Sequence, residues 1–343
     1  MRVQRKVDGR ACLLDSSGNE IAAVSKFVTG LLARGSSPNT VASYVYDLRR
    51  LYDFLESRSL TPDALTVAGG LEFLVYLRGL KARRGATPLA DGTINRILAA
   101  SSSFYTYLLL AEWTGVSGNP FQVASAGPRH SHWARGRGWM RLPRPRRLPR
   151  PLSEEQVTQL LTTCTCRRDM ALLLLMLQGG LRIGEVLNLH LEDVQYGRRR
   201  IIVRYRCDHP KGVRTKSRAE RVVDLLEPET LSALSAYITH ERPRTGSSQH
   251  IFVAGGGSTV GQPLGYAAVA KWFSRKRRSA GLTGSSSTIH SLRHTHATRM
   301  WEAGMSELSL QRRLGHASFE STRMYTEITD EAMLADYRKA LGL

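Results

Sequence analysis

The sequence predicts a mainly α chain in two domains: an all-α N-terminal domain and a C-terminal α+β domain with a small antiparallel β-sheet. Three observations predict it. Apolar residues recur every three or four positions from about residue 20 to 121. A proline- and arginine-rich stretch at 122–152 interrupts that pattern. Beyond it, β-branched residues stand between charges at 199–206 and 218–225, inside sequence that otherwise reads as helical. The boundaries that follow are a tail at 1–19, a helical domain at 20–121, a linker at 122–152 and a second domain at 153–343.

In the first domain, Ile21, Val24, Val28 and Leu31 make the first helical stripe. Ser36-Ser37-Pro38-Asn39-Thr40 is a helix start, with a hydroxyl to cap free N–H groups and a proline in the first turn. Val41, Tyr44, Leu48, Leu51 and Leu55 form the next stripe, and Arg49 and Arg50 point off it. Leu71, Leu74, Leu77 and Leu80 form a third. Ile94, Ile97, Leu98, Phe104, Tyr105 and Leu108 form a fourth, and Asn119-Pro120 closes the set. Short helices with basic faces suit a DNA-clamping module and equally suit a bundle with solvated arginines. Periodicity does not separate the two.

The linker carries Arg129, Arg135, Arg137, Arg141, Arg144, Arg146, Arg147 and Arg150, and no acid stands between Glu112 and Glu154. Prolines at 143, 145, 149 and 151 favour an extended chain. So one-sided a charge repels itself without a polyanion, and an extended basic strand can follow a phosphate backbone and release its counterions.

In the second domain, Ser153-Glu154-Glu155-Gln156 starts a helix, and an apolar helix from Met170 to Leu177 stops at Gly179-Gly180. Strands at Arg199–Arg206 and Arg218–Leu225 flank a loop with Pro210, Gly212 and three basic residues. Gln249–Ala254 reads as a further short strand, and helix resumes from about 265 to the end. Gly255-Gly256-Gly257 lacks the following Lys-Ser or Lys-Thr of a phosphate-binding loop and reads as a turn.

The 343 residues are 42% hydrophobic, which fits folded domains, and 49 Lys and Arg against 29 Asp and Glu give a net charge of +20. Charge of that size favours a polyanion, and nucleic acid is the commonest. A membrane surface is the weaker reading: no apolar run would span a bilayer, and Met1-Arg2-Val3-Gln4-Arg5-Lys6 lacks the apolar core of a signal peptide. Cys12, Cys164, Cys166 and Cys207 read as free thiols in a reducing compartment, because the Cys164/Cys166 pair has no second pair to complete a metal site.

The candidate chemistry lies in four separated strings. Gly180-Leu181-Arg182-Ile183-Gly184-Glu185 presents an arginine after a tight turn, and Glu185 also fits a salt bridge with it. His290 and Arg293 stand three apart on a helix and share a face, with His294 beside them as a structural histidine. His316 follows Leu314-Gly315, where a helix should stop, and Tyr325 comes nine residues later. Breaking a DNA phosphodiester without a metal needs a nucleophile, cations on the phosphorane oxygens and an acid for the leaving 5′-oxygen. The chain has a candidate for each role.

These strings together resemble the tyrosine recombinase, or phage integrase, family. "GLRIGEVLNLHLEDV" resembles its first arginine box, "HSLRHTHATRMWEAG" its second and "LGHASFESTRMY" its nucleophile segment. Ser291 departs from the acid or asparagine that many members place after the first histidine. "SPNTVASYVYDLRRLYDFL" and "NPF" look like the family's core-binding domain. The resemblance implies a core-binding domain at 20–121 and a catalytic domain at 153–343. It also implies that Tyr325 attacks and is joined to the DNA 3′-phosphate while His316 hydrogen-bonds the phosphate, with Arg182 and Arg293 as the phosphate clamps and His290 as a base or hydrogen-bond donor beside the second. Lys216, nine residues before Leu225, resembles the hairpin lysine that protonates the leaving oxygen, with Lys211 as its rival. Tyr337 is a poor rival for Tyr325, since it shares a terminal helix face with Met333 and Leu341. Expected DNA contacts are Arg49, Arg50, Arg141, Arg144, Arg146 and Arg147.

The expected partner is double-stranded DNA, with a homotetramer at the synapse (the helix at 329–341 docking on a neighbour) and accessory DNA-bending proteins. No membrane, metal, cofactor or ATP is expected, and the expected location is cytoplasmic, on the nucleoid. A type IB topoisomerase and a catalytically inactive DNA-binding protein are the alternatives.

Overall fold

The computed structural model describes residues 1–6, 10–82, 87–122, 140–143, 151–215, 219–245, 248–282 and 287–315. The chain divides into two compact units, Met1–Arg146 and Arg147–Leu343. Among the described residues no helix is long and apolar enough to cross a membrane.

The first unit opens with a hairpin, β1 (Arg2–Arg5) antiparallel to β2 (Ala11–Leu14), with Arg2 opposite Leu14. A tail was expected here. All four residues of β2 are buried, and Ala11 and Leu13 join the core of the helices that follow. Those helices are α1 (Ala22–Ala33), α2 (Pro38–Ser57), α3 (Val67–Gly79) and α4 (Asp91–Leu110). The Ser37 hydroxyl accepts from the Thr40 N–H at 3.1 Å, with Pro38 in the first turn, so α2 starts where the sequence says. The first, second and fourth stripes bury Val24, Val28, Leu31, Val41, Leu48, Leu51, Leu55, Ile94, Ile97, Phe104 and Leu108.

The third stripe is rotated. Helix α3 buries Gly70, Phe73 and Leu77, while Leu71 and Leu74 stay half-buried. The Phe73 ring takes the inner position because it meets Phe54 and Phe121 at centroid distances of 5.2 and 6.0 Å. A Cβ at Gly70 would lie 2.8 Å from the Pro120 carbonyl, so only glycine lets that turn approach. Asn119 closes the unit physically. Its amide donates to the Ser102 carbonyl at 2.9 Å and to the Thr106 hydroxyl at 3.1 Å on α4, and its Oδ1 accepts from the Phe121 N–H at 3.0 Å.

Part of the expected linker is docked. Met140 and Leu142 are buried, and the Asn95 side chain bonds the Leu142 backbone on both sides, at 2.8 and 3.0 Å. Exposed Arg141 lines a groove of about 640 Å³ with Asn95, Arg96 and Ser102. Arg144, Arg146 and Arg147 lie outside the described residues.

The second unit begins with α5 (Glu154–Thr162), started by a reciprocal box between Ser153 and Gln156. Helix α6 (Arg167–Leu177) is buried along its whole length from Ala171 to Leu177. Short α7 (Ile183–Leu187) follows. A three-stranded antiparallel sheet comes next, β3 (Val194–Gln195), β4 (Arg200–Val203) and β5 (Arg221–Asp224), in that order, with Ile201 opposite Val223. The two expected strands are present but shorter. The 249–254 segment makes isolated bridges, His190 to His250 and Val253 to Pro263, in place of the expected strand. Helices α8 (Pro228–His240), α9 (Tyr266–Ser279), α10 (Ile289–Glu302) and α11 (Glu307–Leu314) complete the described unit. Leu310 and Leu314 of α11 pack on Ala297 of α10, which brings the end of α11 back to the middle of α10. The terminal helix expected at 329–341 lies outside the described residues.

Candidate active site

Two glycines aim Arg182. Gly180 sits at φ +64°, and a Cβ there would lie 2.4 Å from the His296 ring. A Cβ at Gly179 would lie 2.6 Å from the Leu175 carbonyl. The chain therefore leaves α6 in a turn no side chain permits, and fully buried Leu181 pins it. Arg182 caps α7, its N–H donating to Glu185 Oε2 at 2.8 Å. Its guanidinium donates to Glu185 Oε1 at 2.9 Å and to the carbonyls of Leu314 and Gly315, both at 3.2 Å.

Arg293 arrives from the middle of α10. Its guanidinium donates to the Gly180 carbonyl at 2.7 Å and to the Leu314 carbonyl at 2.6 Å. The two arginines singled out from sequence thus converge on one acceptor, the last carbonyl of α11. That helix ends at Gly315, which holds φ +64° as its left-handed cap. The negative end of the helix dipole lies against both cations.

Glu185 is the centre of the cluster and is 1% exposed. Arg221, at the start of β5, grips both its oxygens at 3.0 and 2.7 Å and donates its Nε to the Arg313 carbonyl at 2.8 Å. Arg293 stands 3.8 Å away. Burial alone would raise the Glu185 carboxyl, but the Arg221 hydrogen bonds and charge, with Arg293 and Arg182, hold it down to about 2. Sequence reasoning gave Glu185 only the salt bridge with Arg182 and missed Arg221. The available signal was a glutamate inside an otherwise apolar string, since a buried acid requires cations.

His290 is exposed on the first turn of α10, one turn before Arg293. Ser291, the departure from the family pattern, closes the start of α10: its hydroxyl accepts from the Thr288 N–H at 2.9 Å. Half-buried His294 is pushed down to about 4 by burial, with the His290 and Arg293 charges adding to it. The fully structural histidine is His296. Its Nδ1 donates to the Leu177 carbonyl at 3.0 Å, its Nε2 accepts from Arg313 Nε at 3.0 Å, and burial pushes it down to about 3. Lys216, His316 and Tyr325 lie outside the described residues. Lys211 is described and exposed, in the loop between β4 and β5. Arg49 and Arg50 lie on α2, where Arg49 pairs loosely with Asp53 at 3.5 Å. All four cysteines are free thiols.

Residues 150–332 match the phage integrase family, and residues 24–112 match the SAM-like N-terminal domain of phage integrases. Transposase A from transposon Tn554 of Staphylococcus aureus is 31% identical, over 99% of this chain and 98% of its own length. Tyrosine recombinase XerC of Pelotomaculum thermopropionicum is 30% identical, over 90% of this chain and 93% of its own. Among solved structures, the Tn1549 transposon integrase in complex with transposon right end DNA superposes with a TM-score of 0.68 at 20% identity, covering 94% of this chain and all of that one. With its arginine boxes folded onto one point, and with relatives matched along nearly its full length, the chain belongs to the phage integrase family of tyrosine recombinases.

Proposed function

We propose that the protein is a site-specific recombinase that cuts and rejoins double-stranded DNA through a 3′-phosphotyrosine at Tyr325. The observation that carries this reading is the convergence of Arg182 and Arg293 on the Leu314 carbonyl, directly before the "LGHASFESTRMY" segment. A phosphate placed at that point meets two planar guanidinium forks, and charged oxygens bind them more strongly than neutral carbonyls do. The phosphate then displaces the carbonyls that hold the arginines ready.

In this reading the Tyr325 oxygen attacks phosphorus and loses its proton to a neighbouring base, with His290 the candidate. Arg182, Arg293 and His316 stabilise the non-bridging oxygens. The P–O5′ bond breaks, and Lys216 delivers a proton to the leaving oxygen. The tyrosyl ester conserves the bond energy, so a 5′-hydroxyl from a second duplex reverses the step without ATP. The SAM-like match at 24–112 and the full-length likeness to a transposase support strand exchange over a topoisomerase's simple religation. A tetramer at the synapse fits exchange between two duplexes.

The test is covalent capture. Duplexes copied from the junctions flanking the chain's own gene are incubated with protein and then denatured. Wild type should retain DNA, whereas Tyr325→Phe should retain none and still shift the native duplex in a gel. A covalent adduct in the Phe variant would remove Tyr325 from the reaction.

A further inference from the structure

Three histidines apart from the arginine cluster meet edge to face. The ring centroids of His190 and His250 are 4.4 Å apart and those of His209 and His250 4.7 Å, at interplanar angles of 63° and 84°. They come from three segments: His190 follows α7, His209 lies in the loop between β4 and β5, and His250 follows α8. His209 and His250 are 4% and 8% exposed. The Nε2 of every ring is buried without a hydrogen-bond partner among the described residues. Two buried imidazoles and a half-buried one in contact favour neutral rings. Burial pushes all three down, His250 to about 4. Among the described residues no three His, Cys, Asp or Glu side chains are arranged to hold a metal ion, so the contact is ring on ring.

What the stack holds is the loop. The His209 Nδ1 accepts from the Lys211 N–H at 3.1 Å and its carbonyl accepts from the Gly212 N–H at 2.8 Å, which folds 209–212 into a turn with Gly212 at φ +66°. Arg204 and Arg206, upstream in the same loop, bond fully buried Asp193 at 2.6 to 3.0 Å. Downstream, Val213 and Thr215 are buried. The Arg214 carbonyl passes so close to α7 that a Cβ at Gly184 would lie 2.9 Å from it. The loop is therefore laid directly over the helix that carries Arg182 and Glu185, and the next residue after Thr215 is Lys216.

We propose that His190, His209 and His250 are positioning residues, a stack that sets the β4–β5 loop so that its lysine reaches the leaving 5′-oxygen. The inference rests on the reading that the leaving-group acid is in this loop, at Lys216 or Lys211. In the step concerned the Tyr325 O–P bond forms, the P–O5′ bond breaks, and the lysine ammonium gives its proton to O5′. A sulphur in place of O5′ leaves as thiolate with no proton needed.

The experiment compares single-turnover cleavage of two junction duplexes, one with oxygen and one with sulphur at the scissile 5′ position, using the full chain. His209→Leu fills the space but cannot accept from Lys211. It should be slowed at least about tenfold on the oxygen duplex, part of what a general acid contributes. On the sulphur duplex it should fall within about threefold of wild type, at unchanged DNA affinity. His209→Asn, whose side-chain oxygen can take the Nδ1 position, should recover most of the oxygen rate. If His209→Leu fails to fold, half-buried His190→Asn gives the second variant, with the same sulphur rescue expected. Equal slowing on both duplexes, or no slowing on either, overturns the stack's role. The lysine variants separate the two layers. If Lys216→Ala or Lys211→Ala is rescued by sulphur and the histidine variants are not, the acid is in the loop and the stack does not position it. If neither lysine variant is rescued, the acid lies elsewhere and both readings fall.

Discussion

At the scale of single residues, the site is one buried carboxylate holding three guanidinium groups. Removing one partner of such a cluster leaves charge buried without compensation, which costs about 3–5 kcal/mol. Glu185→Gln should therefore be destabilised by roughly that amount at neutral pH. The sign with pH is fixed. Glu185 titrates near 2 in the folded chain against 4.5 ordinarily, so its stabilisation is present above about 4.5 and is lost as pH falls towards 2. Urea unfolding of wild type and Glu185→Gln between pH 7 and pH 3 should show the gap narrowing with acid. A gap that stays constant would mean the Gln variant is weakened by packing alone. Arg182→Ala and Arg293→Ala should each slow cleavage at least about a hundredfold, as loss of one preorganised donor does. Lysine at either position should recover only part, because a point charge cannot reproduce the planar fork. Near-normal single-turnover rates in either Ala variant would count against the phosphate role.

At the scale of elements, local signals were legible and long-range ones were not. The starts of α2 and α5 could be read because Ser37 and Ser153 each act on an N–H group three residues away. The stops at Gly180 and Gly315 could be read because a left-handed residue announces itself as glycine. The face of α3 could not, since Leu71, Phe73, Leu74 and Leu77 offer two stripes and the choice is made by Phe54, Phe121 and Pro120. The N-terminal hairpin escaped because its strands are four residues long and β2 is buried by helices formed later in the chain. Arg221 escaped for the same reason: its partners, Glu185 and the Arg313 carbonyl, are distant in sequence. Gly315 offers the element-scale test. A Cβ there would lie 2.8 Å from Arg221 Nη1, and the residue holds a positive φ. Gly315→Ala should cost about 1 kcal/mol or more in backbone strain. It should also slow cleavage while binding persists, because the end of α11 shifts away from both arginines. A cleavage rate matching wild type would show that the arginines hold position without that carbonyl.

At the scale of the whole molecule, a net charge of +20 makes DNA affinity a matter of salt. Each phosphate contact contributes about 0.9 to the slope of log affinity against log salt. Replacing Arg141, Arg144, Arg146 and Arg147 together should flatten that slope and weaken binding to all sequences alike. An unchanged slope would make the linker a solvated tether. The way the first unit is closed bears on how the chain is made. Its core draws on residues from Ala11 to Leu142 and includes the hairpin, the Asn119 clasp and the docked 140–143 segment. Every partner it needs precedes the second unit in the chain. At about 5–20 residues per second, the rest of the chain takes roughly ten to forty seconds more. The basic N-terminal unit therefore holds all it needs to fold on the nascent chain, while the tyrosine has yet to be translated.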